Sequence, residues 1–370
     1  MDGPNKYIEI LANNTKTIRI IVYMLVFFII FIVGIWLYIK SRLNDKNCRH
    51  LSKLYPDFAK VSTIDPSQEV FSHNLRDYYI KTAFNACLSG EIKNDFVNIC
   101  ALKSAIKQGA RCLDFEIYSL NDKPVIAASS INDYYTKGTY NSVDFGDAME
   151  IITDYAFSGG TCPNPGDPLL LNFRIMSNNQ KIYKIMSDEI YSKLENRILG
   201  KEYSYENKGN NLGMVSLKEL MGKIIIMVDR TNPLFEQTPL DEYVNIASGS
   251  VFLRSYNYSQ VKNTQDTSEL IEFNKKNMTI VRPDLSGSVK NPSSALAMNY
   301  GCQMVGMGFQ KIDTNMEYYS MFFDKAGSAF SLKPENLRFI PVTIPIPPPP
   351  NPEYSYEKRD VSSDYYQFNI

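Results

Sequence analysis

The sequence predicts an α/β fold that follows a single membrane-spanning helix. The helix is indicated by an uncharged, almost wholly apolar run from Ile20 to Ile39. The α/β fold is indicated by short apolar segments that alternate with helical patterns from about Leu75 onward. Such alternation favours a parallel sheet, either doubly wound or closed into a barrel, and periodicity alone does not decide between them. A proline-dense stretch, Ile340 to Pro352, marks a change of structure near the end.

The apolar run has the length and flanks of a membrane anchor. Its 20 residues rise about 1.5 Å each and so extend about 30 Å, the thickness of a bilayer's hydrocarbon core. Tyr23 lies near one end and Trp36 and Tyr38 near the other, where interfacial aromatic residues are common. A cleaved signal peptide has a shorter apolar region and a small-residue cleavage site, whereas Lys40 follows here. We therefore expect a lipid bilayer to bind Ile20–Ile39.

The basic residues around the span favour a cytoplasmic C-terminal part. The N-terminal tail, residues 1–19, carries three of them, and five follow the span within residues 40–53. The positive-inside rule then places the larger part in the cytoplasm. Asn-x-Ser/Thr triplets at Asn13, Asn257 and Asn277 favour the other side, but such triplets often arise by chance. Residues 40–69 are polar and mixed, and we interpret them as a juxtamembrane linker, with or without a short helix.

Composition excludes some classes of protein and site. The chain has 370 residues, a formal net charge of −1 and 44% hydrophobic residues, which is near the average of globular proteins. The balanced charge argues against a nucleic-acid partner. The cysteines form no CxxC pair, so a zinc site is not indicated. Their scatter favours reduced, buried thiols, although one disulfide is not excluded; the six are Cys48, Cys87, Cys100, Cys112, Cys162 and Cys302.

Short apolar runs bounded by Gly, Pro, Asn or Asp predict the strands of the folded part. The predicted strands are Tyr78–Phe84, Cys112–Tyr118, Pro124–Ala128, Leu169–Ile175, Lys223–Val228 and Gly249–Arg254. Amphipathic stretches between them predict helices at Phe96–Gln108, Phe145–Phe157, Lys181–Ile198 and Ser216–Met221.

The last segment, residues 343–370, is predicted to be an extended arm. Proline at this density fits neither a helix nor a central strand, and favours polyproline II structure. One interpretation is a disordered tail. The other is an arm that binds a neighbouring structural protein, because a preformed extended segment loses little entropy on binding.

Several segments in the folded part resemble the catalytic barrel of phosphoinositide-specific phospholipase C. Leu75–Ile92 resembles the family's opening strand and first histidine loop. Ala105–Ile126, with GARCLDFEIY and KPVI, is similar to the stretch that carries two acidic calcium ligands. Met221–Val228 resembles the family's GKI strand. Asn299–Gln310, with GCQMV, and Leu332–Arg338, with LKPxxLR, resemble the closing half of the eukaryotic barrel.

This resemblance implies a TIM-type β/α barrel over residues 70–342, with the site at the C-terminal ends of its strands. It also implies phosphodiester cleavage by two histidines and a calcium ion, which stabilises charge on the phosphate. The lipid-binding, calcium-binding and C2 modules that flank the family's barrel have no counterpart here.

The residues that match the family's site depart from it. Phe84 falls at the first histidine and Ala128 at the second, and neither side chain transfers protons. The calcium ligands are kept in part, because Asn85 is retained and Asp114 and Glu116 stand where the family has Glu and Asp. These three would bind Ca²⁺ if the protein uses it; otherwise no metal or other cofactor is expected.

Three further positions of the resemblance are altered. Arg174 stands where the family has another acidic calcium ligand, and Met227 and Asp229 stand where it has two phosphate-binding lysines. Of the two histidines, His50 is juxtamembrane, and the Ser-His-Asn triplet at His73 lies upstream of the matching position.

An arginine beside two carboxylates supplies the positive charge that calcium would otherwise supply. We therefore predict that Arg174 pairs with Asp114 or Glu116. The alternative is that Arg174 points to solvent and the carboxylates are hydrated.

These observations favour a membrane-anchored, catalytically inactive phospholipase C-like barrel that acts as a structural or binding module. The abundance of Asn, Lys, Ile and Tyr suggests an AT-rich genome, and by analogy a component of a large DNA virus particle or its membrane. One alternative is an active calcium-dependent phosphoric diester hydrolase whose acid and base are Tyr, Asp or Glu residues elsewhere. Another is phospholipid head-group binding without turnover, through Arg174, Arg230 and Arg254.

Overall fold

A computed structural model describes residues 4–134, 137–205, 211–341 and 358–369, and side chains within these except those of 4–13 and residue 201. The chain divides into two units, Met1–Phe339 and Ile340–Ile370. The α-helices are α1 Pro4–Leu54, α2 Ile99–Lys107, α3 Phe145–Ala156, α4 Gln180–Leu194, α5 Tyr258–Lys262, α6 Thr267–Lys276, α7 Ser294–Asn299 and α8 Thr314–Ala326. The strands are β1 Tyr78–Ala83, β2 Cys112–Leu120, β3 Lys123–Ala127, β4 Val143–Asp144, β5 Leu169–Ile175, β6 Ile224–Val228, β7 Ile246–Ala247, β8 Leu253–Asn257, β9 Met278–Arg282, β10 Met304–Met307, β11 Phe330–Leu332, β12 Asp360–Ser362 and β13 Gln367–Asn369.

Parallel strands of the first unit form a nearly closed barrel with helices in the connections. Their order is β7-β6-β5-β2-β1-β10-β9-β8, and each neighbouring pair is parallel. Antiparallel strands extend it, with β11 paired to β1 and β3 paired to β2 and β4. At the open edge, the Gly249 amide donates to the Leu253 carbonyl at 3.0 Å. The predicted TIM-type barrel is therefore confirmed.

Alternate residues of each strand face opposite sides of the barrel wall. On β2, Cys112 packs with the interior cluster, whereas Leu113 and Phe115 pack with the helices. On β5, Leu170 and Leu171 divide in the same way. Polar residues in register with the interior positions therefore point into the barrel where each strand ends, which we call the mouth.

Helix α1 continues well beyond the apolar run. It extends from Pro4 to Leu54 without a break, and its part from Asn14 onward is long and apolar enough to span a membrane, with a mean hydropathy of 3.0 over the most apolar window. The interpretation of residues 40–69 as a linker is wrong for this part. Polar residues of α1 bind the barrel instead, since the Asn47 amide donates to Asp95 at 2.7 Å, and Leu51 is buried in the core.

A disulfide joins α1 to the barrel. Cys48 is bonded to Cys100 at the start of α2, so the expectation of reduced thiols is wrong for this pair. The sequence gives no signal for it, because the two residues become neighbours only when α1 packs beside α2. The remaining cysteines are buried free thiols: Cys87, Cys112, Cys162 and Cys302.

Two predicted elements differ from the structure. Gly249–Arg254 is not one strand, because Gly249 has a left-handed φ of 72° and turns the chain before β8 begins at Leu253. Ser216–Met221 is not a helix but a series of turns, in which the Leu217 amide donates to the His73 carbonyl. Most of the predicted proline arm, residues 342–357, lies outside the described residues, and β12 and β13 form a hairpin after it.

Candidate functional site

Five strand ends supply the polar residues of the mouth. Asp114 and Glu116 on β2 are in register with Asn172 and Arg174 on β5. Asn85 follows β1, Asp229 follows β6, and Arg282 ends β9. All seven side chains belong to residues that are buried or nearly so. The fold thus brings together residues that are up to about two hundred positions apart in the sequence.

Arg174 lies at the centre of this group and binds both carboxylates. Its Nη2 atom is 2.9 Å from Oδ2 of Asp114, and its Nη1 atom is 3.2 Å from Oε2 of Glu116. Its Nε atom donates to Oδ1 of Asp114 at 3.1 Å, so two nitrogens of the guanidinium bind the aspartate. Nη2 also donates to Oδ1 of Asn85 at 2.6 Å. The predicted pairing of Arg174 with the acidic residues is confirmed.

Further hydrogen bonds hold the carboxylates in place. Oδ1 of Asp114 accepts from the Asn172 amide at 2.7 Å, and Oδ2 accepts from the Asn85 backbone at 3.2 Å. Oε1 of Glu116 accepts from the Tyr118 hydroxyl at 2.5 Å. Every carboxylate oxygen of the pair therefore has a donor inside the protein.

Electrostatics favours the charged form of Arg174 despite its burial. Burial lowers the pKa of Arg174, but the neighbouring Asp114 and Glu116 outweigh it, so that the pKa is raised above the ordinary arginine value. Burial, and then Glu116, raise the pKa of the Tyr118 hydroxyl. Both groups consequently keep their protons at neutral pH.

A second ion pair lies beside the first. Nη1 of Arg282 is 3.2 Å from Oδ2 of Asp229, and Oδ1 of Asp229 accepts from the Thr231 hydroxyl at 2.6 Å and from Ser248 at 3.1 Å. Burial acts to raise the pKa of Asp229, but Arg282 and the Thr231 hydrogen bonds lower it overall. Asp229 is therefore ionised and bound rather than available to accept a proton.

The positions that match the family's histidines are filled with hydrocarbon. The Phe84 ring lies beneath Arg174, with 5.2 Å between the guanidinium carbon and the ring centre. Ala128 is fully buried, and its carbonyl accepts from the amides of Gly138 and Thr139. Met227 is fully buried in the barrel interior, with Asp229 two residues further along the chain.

Both histidines lie away from the mouth. His73 precedes β1, at the opposite end of the barrel, where its Nε2 atom is 3.3 Å from Arg338. His50 is on the exposed surface of α1. The hydrogen-bond partners of Asn85 are Asp114, Arg174 and Leu88, and none of them is an imidazole.

Sequence reasoning missed Asn172, Arg282 and Tyr118. Two of them carried a usable signal, because Asn172 precedes Arg174 by two residues and Tyr118 follows Glu116 by two, and such spacing on a strand indicates a shared face. Arg282 carried none, since its strand β9 was not among those predicted.

The donor set does not fit calcium. A Ca²⁺ ion takes six to eight oxygen ligands at about 2.3–2.6 Å. The oxygens of Asn85, Asp114 and Glu116 are bound by the guanidinium of Arg174 at 2.6–3.2 Å. Within the described residues, no group of three or more His, Cys, Asp or Glu side chains is arranged to hold a metal ion.

Two family models match consecutive parts of the chain. The X domain of phosphatidylinositol-specific phospholipase C matches residues 71–230, and the Y domain matches residues 241–336. No curated protein matches the chain.

Solved structures support the same fold. The crystal structure of L. pealei PLC21 is 18% identical with a TM-score of 0.57, and that of S. officinalis PLC21 is 17% identical with a TM-score of 0.55. Each likeness covers 73% of this chain but only 38% of the other, so the chain spans less than half the length of these relatives. At such identity the likeness shows the fold alone. Together the two family matches cover more than half of the chain, which belongs to the phosphatidylinositol-specific phospholipase C family.

Proposed function

We propose that this protein is a membrane-anchored phospholipase C-like barrel without catalytic activity, which acts as a structural or binding module. One observation carries the proposal: Arg174 binds Asn85, Asp114 and Glu116 at once. A fixed arginine takes the role that an exchangeable calcium ion has in the family, and it stabilises the mouth rather than a reacting phosphate.

The alternative of a relocated acid and base gains little support from the mouth. General acid–base catalysis needs a group whose pKa lies near the working pH. Arg174 and Tyr118 have raised pKa values, and Asp229 has a lowered one. Burial first, and then repulsion by Arg174, lower the pKa of Arg282, but its ion pair with Asp229 opposes this. Arg174 and Tyr118 therefore stay protonated and Asp229 stays ionised, so none of these three groups is suited to exchange a proton at neutral pH.

Head-group binding is also less favoured. Arg230 is paired with Glu236, and Arg254 with Glu269. A phosphate would have to displace a carboxylate at each of these exposed pairs, just as it would at Arg174.

The anchor and the disulfide bear on location. The α1 helix supports a single-pass membrane protein. Two observations disagree on which side of the membrane the barrel lies. The basic residues favour the cytoplasm, whereas disulfides persist in oxidising compartments. The excess of basic residues after the span is small, and Cys48–Cys100 is a defined covalent bond. Our proposal therefore places the barrel on the oxidising side of the membrane. On compositional grounds it also includes a location in a virion membrane and a neighbouring structural protein that binds the proline-rich arm.

A turnover assay tests the loss of catalysis. The full chain in detergent micelles would be given phosphatidylinositol and glycerophosphodiesters, with calcium and with chelator, beside an Asp114→Ala variant. We expect no turnover in any arm. Turnover that Asp114→Ala abolishes would overturn the proposal, and so would turnover that survives the substitution and co-purifies with the chain, because the acid and base would then lie elsewhere.

Protease protection tests the side of the membrane. In sealed microsomes that contain the full chain, added protease should leave the barrel intact until detergent is added. Digestion without detergent would place the barrel in the cytoplasm. A non-reducing gel of the same sample reports the Cys48–Cys100 bond independently.

A further inference from the structure

The part of α1 that follows the apolar run carries basic side chains along its exposed face. They follow one another at intervals of four, three and four residues, and are Arg42, Lys46, Arg49 and Lys53. Such intervals place side chains on one face of an α-helix. The barrel binds the other side of this helix, where Leu51 is buried. We call these four exposed residues the basic row.

The basic row has no acidic partner in the part of the chain that the structure describes. None of its four side chains forms an ion pair there. Asp45 is the one acidic residue between positions 40 and 54, so the positive charge of this segment is largely uncompensated. Charged side chains are commonly just solvated. A partner can be inferred only from a surface that matches the row in charge and in spacing.

Lipid phosphates reach only the first part of the row. Lys40 is the first residue beyond the apolar run, and Arg49 and Lys53 follow nine and thirteen residues later on the same unbroken helix. These intervals correspond to about 14 and 20 Å along the axis. Head-group layers add about 5–8 Å on each side of the hydrocarbon core. The second half of the row therefore extends beyond the head groups, where a protein surface is the partner that fits.

Helix α3 carries an acidic row with the same spacing. Its exposed residues Asp147, Glu150 and Asp154 are separated by three and then four residues, as are the last three residues of the basic row. Glu150 is partly neutralised, because Nζ of Lys193 lies 2.7 Å from its Oε2 atom. Asp147 and Asp154 form no ion pair within the described residues. We call these three acidic residues the acidic row.

Helices α1 and α2 lie side by side and run in the same direction. Contacts between them follow one another in the same order along both helices. They are the Asn44–Asn98 hydrogen bond at 3.1 Å, the Cys48–Cys100 disulfide, and the hydrogen bond from Nζ of Lys107 to the Tyr55 carbonyl at 2.9 Å. The direction of α2 thus gives the direction of α1.

Helix α3 runs in this direction too. Shortly before α3 begins, the Asn141 side chain donates to the carbonyl of Val97, which lies shortly before α2, at 2.8 Å. At the other end, Arg111, which follows α2, donates to the carbonyl of Ala156, the last residue of α3, at 3.0 Å. The starts of the two helices are therefore neighbours, and so are their ends. Together, α1, α2 and α3 form three parallel helices.

The two rows lie at the same level along these helices. Ser52 of α1 and Tyr155 of α3 line one surface cavity, with residues of α2 between them. Their sequence neighbours Lys53 and Asp154 are therefore level to within a helical turn. Because both rows step back from these residues by four and then by three positions, their other members are level as well.

A shared bilayer carries this match from one copy of the chain to the next. Copies that insert in the same direction hold corresponding residues at the same distance from the membrane. The basic row of one copy is then level with the acidic row of its neighbour, so that each basic side chain meets an acidic one. An exposed ion pair is weak on its own, but confinement to one membrane raises the effective concentration of the partner.

We propose that the basic row of α1 binds the acidic row of α3 in a second copy of this chain in the same membrane. The inference rests on the proposed membrane anchoring, which gives the copies a common level. Because each copy carries both rows, the contact can continue from copy to copy. Such lateral association suits the structural module that we propose.

Zero-length cross-linking tests the contact directly. The full chain in phosphatidylcholine vesicles is treated with a carbodiimide, which joins an amine to a carboxylate that it touches. We expect a dimer band on a denaturing gel, in which mass spectrometry finds Lys46 joined to Asp147 or Lys53 joined to Asp154. Salt at about 1 M should lower the dimer yield severalfold, because the Debye length then falls to about 3 Å.

Charge reversal identifies the partner surface. Donor and acceptor fluorophores are attached to separate copies through Met214→Cys, an exposed position, and the native free thiols are buried. Energy transfer between copies is then compared in three variants. The basic reversal is Lys46→Glu, Arg49→Glu and Lys53→Glu, the acidic reversal is Asp147→Lys, Glu150→Lys and Asp154→Lys, and the third variant combines all six substitutions. A matched control reverses three exposed lysines elsewhere, Lys262→Glu, Lys290→Glu and Lys325→Glu.

Each single reversal should lower energy transfer severalfold, and the combined variant should restore it, because its rows are again complementary. The control should behave like the parent. Unchanged transfer in the two single reversals would overturn the contact. A loss in the basic reversal that the combined variant fails to restore would show another partner and overturn α3 as the surface bound. A loss in the control as large as in the basic reversal would overturn it too, since net charge would then explain the effect.

Trp36 separates this inference from the proposed anchoring. It is the chain's single tryptophan and lies in the apolar run, so nitroxide-labelled lipid tails quench it when α1 is inserted. Quenching of Trp36 without energy transfer in the parent would overturn the contact and leave the anchor intact. Absence of quenching would overturn the anchor, and the contact with it.

Discussion

Nη2 of Arg174 and Oδ1 of Asn85 are 2.6 Å apart, although 89 residues separate them in the sequence. Asn85 reaches this position in a left-handed backbone conformation, with φ of 44°. For a residue other than glycine such a conformation is uncommon and costs of order 1 kcal/mol or more, and asparagine is among the side chains that tolerate it best. The contact thus links the loop after β1 to strand β5, although strand β2, which carries Asp114, lies between β1 and β5.

Removal of Arg174 should destabilise the barrel strongly. Arg174→Met leaves Asp114 and Glu116 buried without a counter-charge, and breaking a buried ion pair in this way costs about 3–5 kcal/mol. Urea unfolding at pH 7, followed by circular dichroism, measures the loss. Arg254→Met is the control, because its exposed pair with Glu269 should contribute about 1 kcal/mol or less. A loss at Arg174 no greater than at Arg254 would contradict the structural role.

Replacing Arg174 with an acid should create a calcium site. Arg174→Glu adds a third carboxylate to Asp114, Glu116 and Asn85, which is the kind of oxygen set that Ca²⁺ prefers. Without calcium the variant should melt lower than the parent, because like charges are then buried together. Calcium should raise its Tm in thermal unfolding and leave the parent's Tm unchanged. A calcium-dependent Tm in the parent would show that the ion displaces Arg174, and Arg254→Glu controls for added negative charge.

The arginine-centred group was predictable from the sequence because it depends on local rules. Asp114 and Glu116 are two residues apart on a strand, so they share a face, and the family resemblance placed Arg174 beside them. Arg282 was not predicted as part of this group, because its strand β9 was not recognised from the sequence.

The junction of α1 with the barrel could not be predicted from the sequence, for a different reason. Residues 41–54 are polar, which is typical of a linker, but their polar groups bind the barrel, as the Asn47–Asp95 contact shows. Likewise, Cys48 and Cys100 approach to a Cα distance of 5.7 Å only through tertiary packing. Neither contact corresponds to a periodic pattern in the sequence.

Asp167 should make stability fall as pH rises through weakly acidic values. Burial raises its pKa from 3.8 to about 6, although Arg111 and two hydrogen bonds oppose the effect. Between these two values the native state binds more protons than the unfolded state, so stability is lost with rising pH, by about 3 kcal/mol from this group. Asp167→Asn removes the titration but loses the hydrogen bond from the Asn164 amide, a constant cost of about 1 kcal/mol.

Urea unfolding at several pH values between 4 and 7 checks this. The variant should have a lower free energy of unfolding than the parent at pH 4. This difference should shrink steadily as the pH rises to 7, because only the parent loses stability. Parallel curves for the two proteins would show that Asp167 titrates normally. Asp122→Asn is the control, since that carboxylate is exposed and its pKa is lowered, first by the Lys181 hydrogen bond.

Loss of the disulfide should loosen α1 from the barrel without unfolding the barrel. The bond closes a loop of 52 residues, for which chain entropy predicts a stabilisation of about 4 kcal/mol. Cys100→Ser should lower the Tm of the full chain, and protease should then cleave between the span and residue 60, because the noncovalent contacts of α1, such as those of Asn44, Asn47 and Leu51, then retain it only part of the time. A reducing agent should reproduce the effect in the parent and do nothing further to the variant. If Cys100→Ser melts like the parent and resists cleavage, packing alone holds α1 against the barrel.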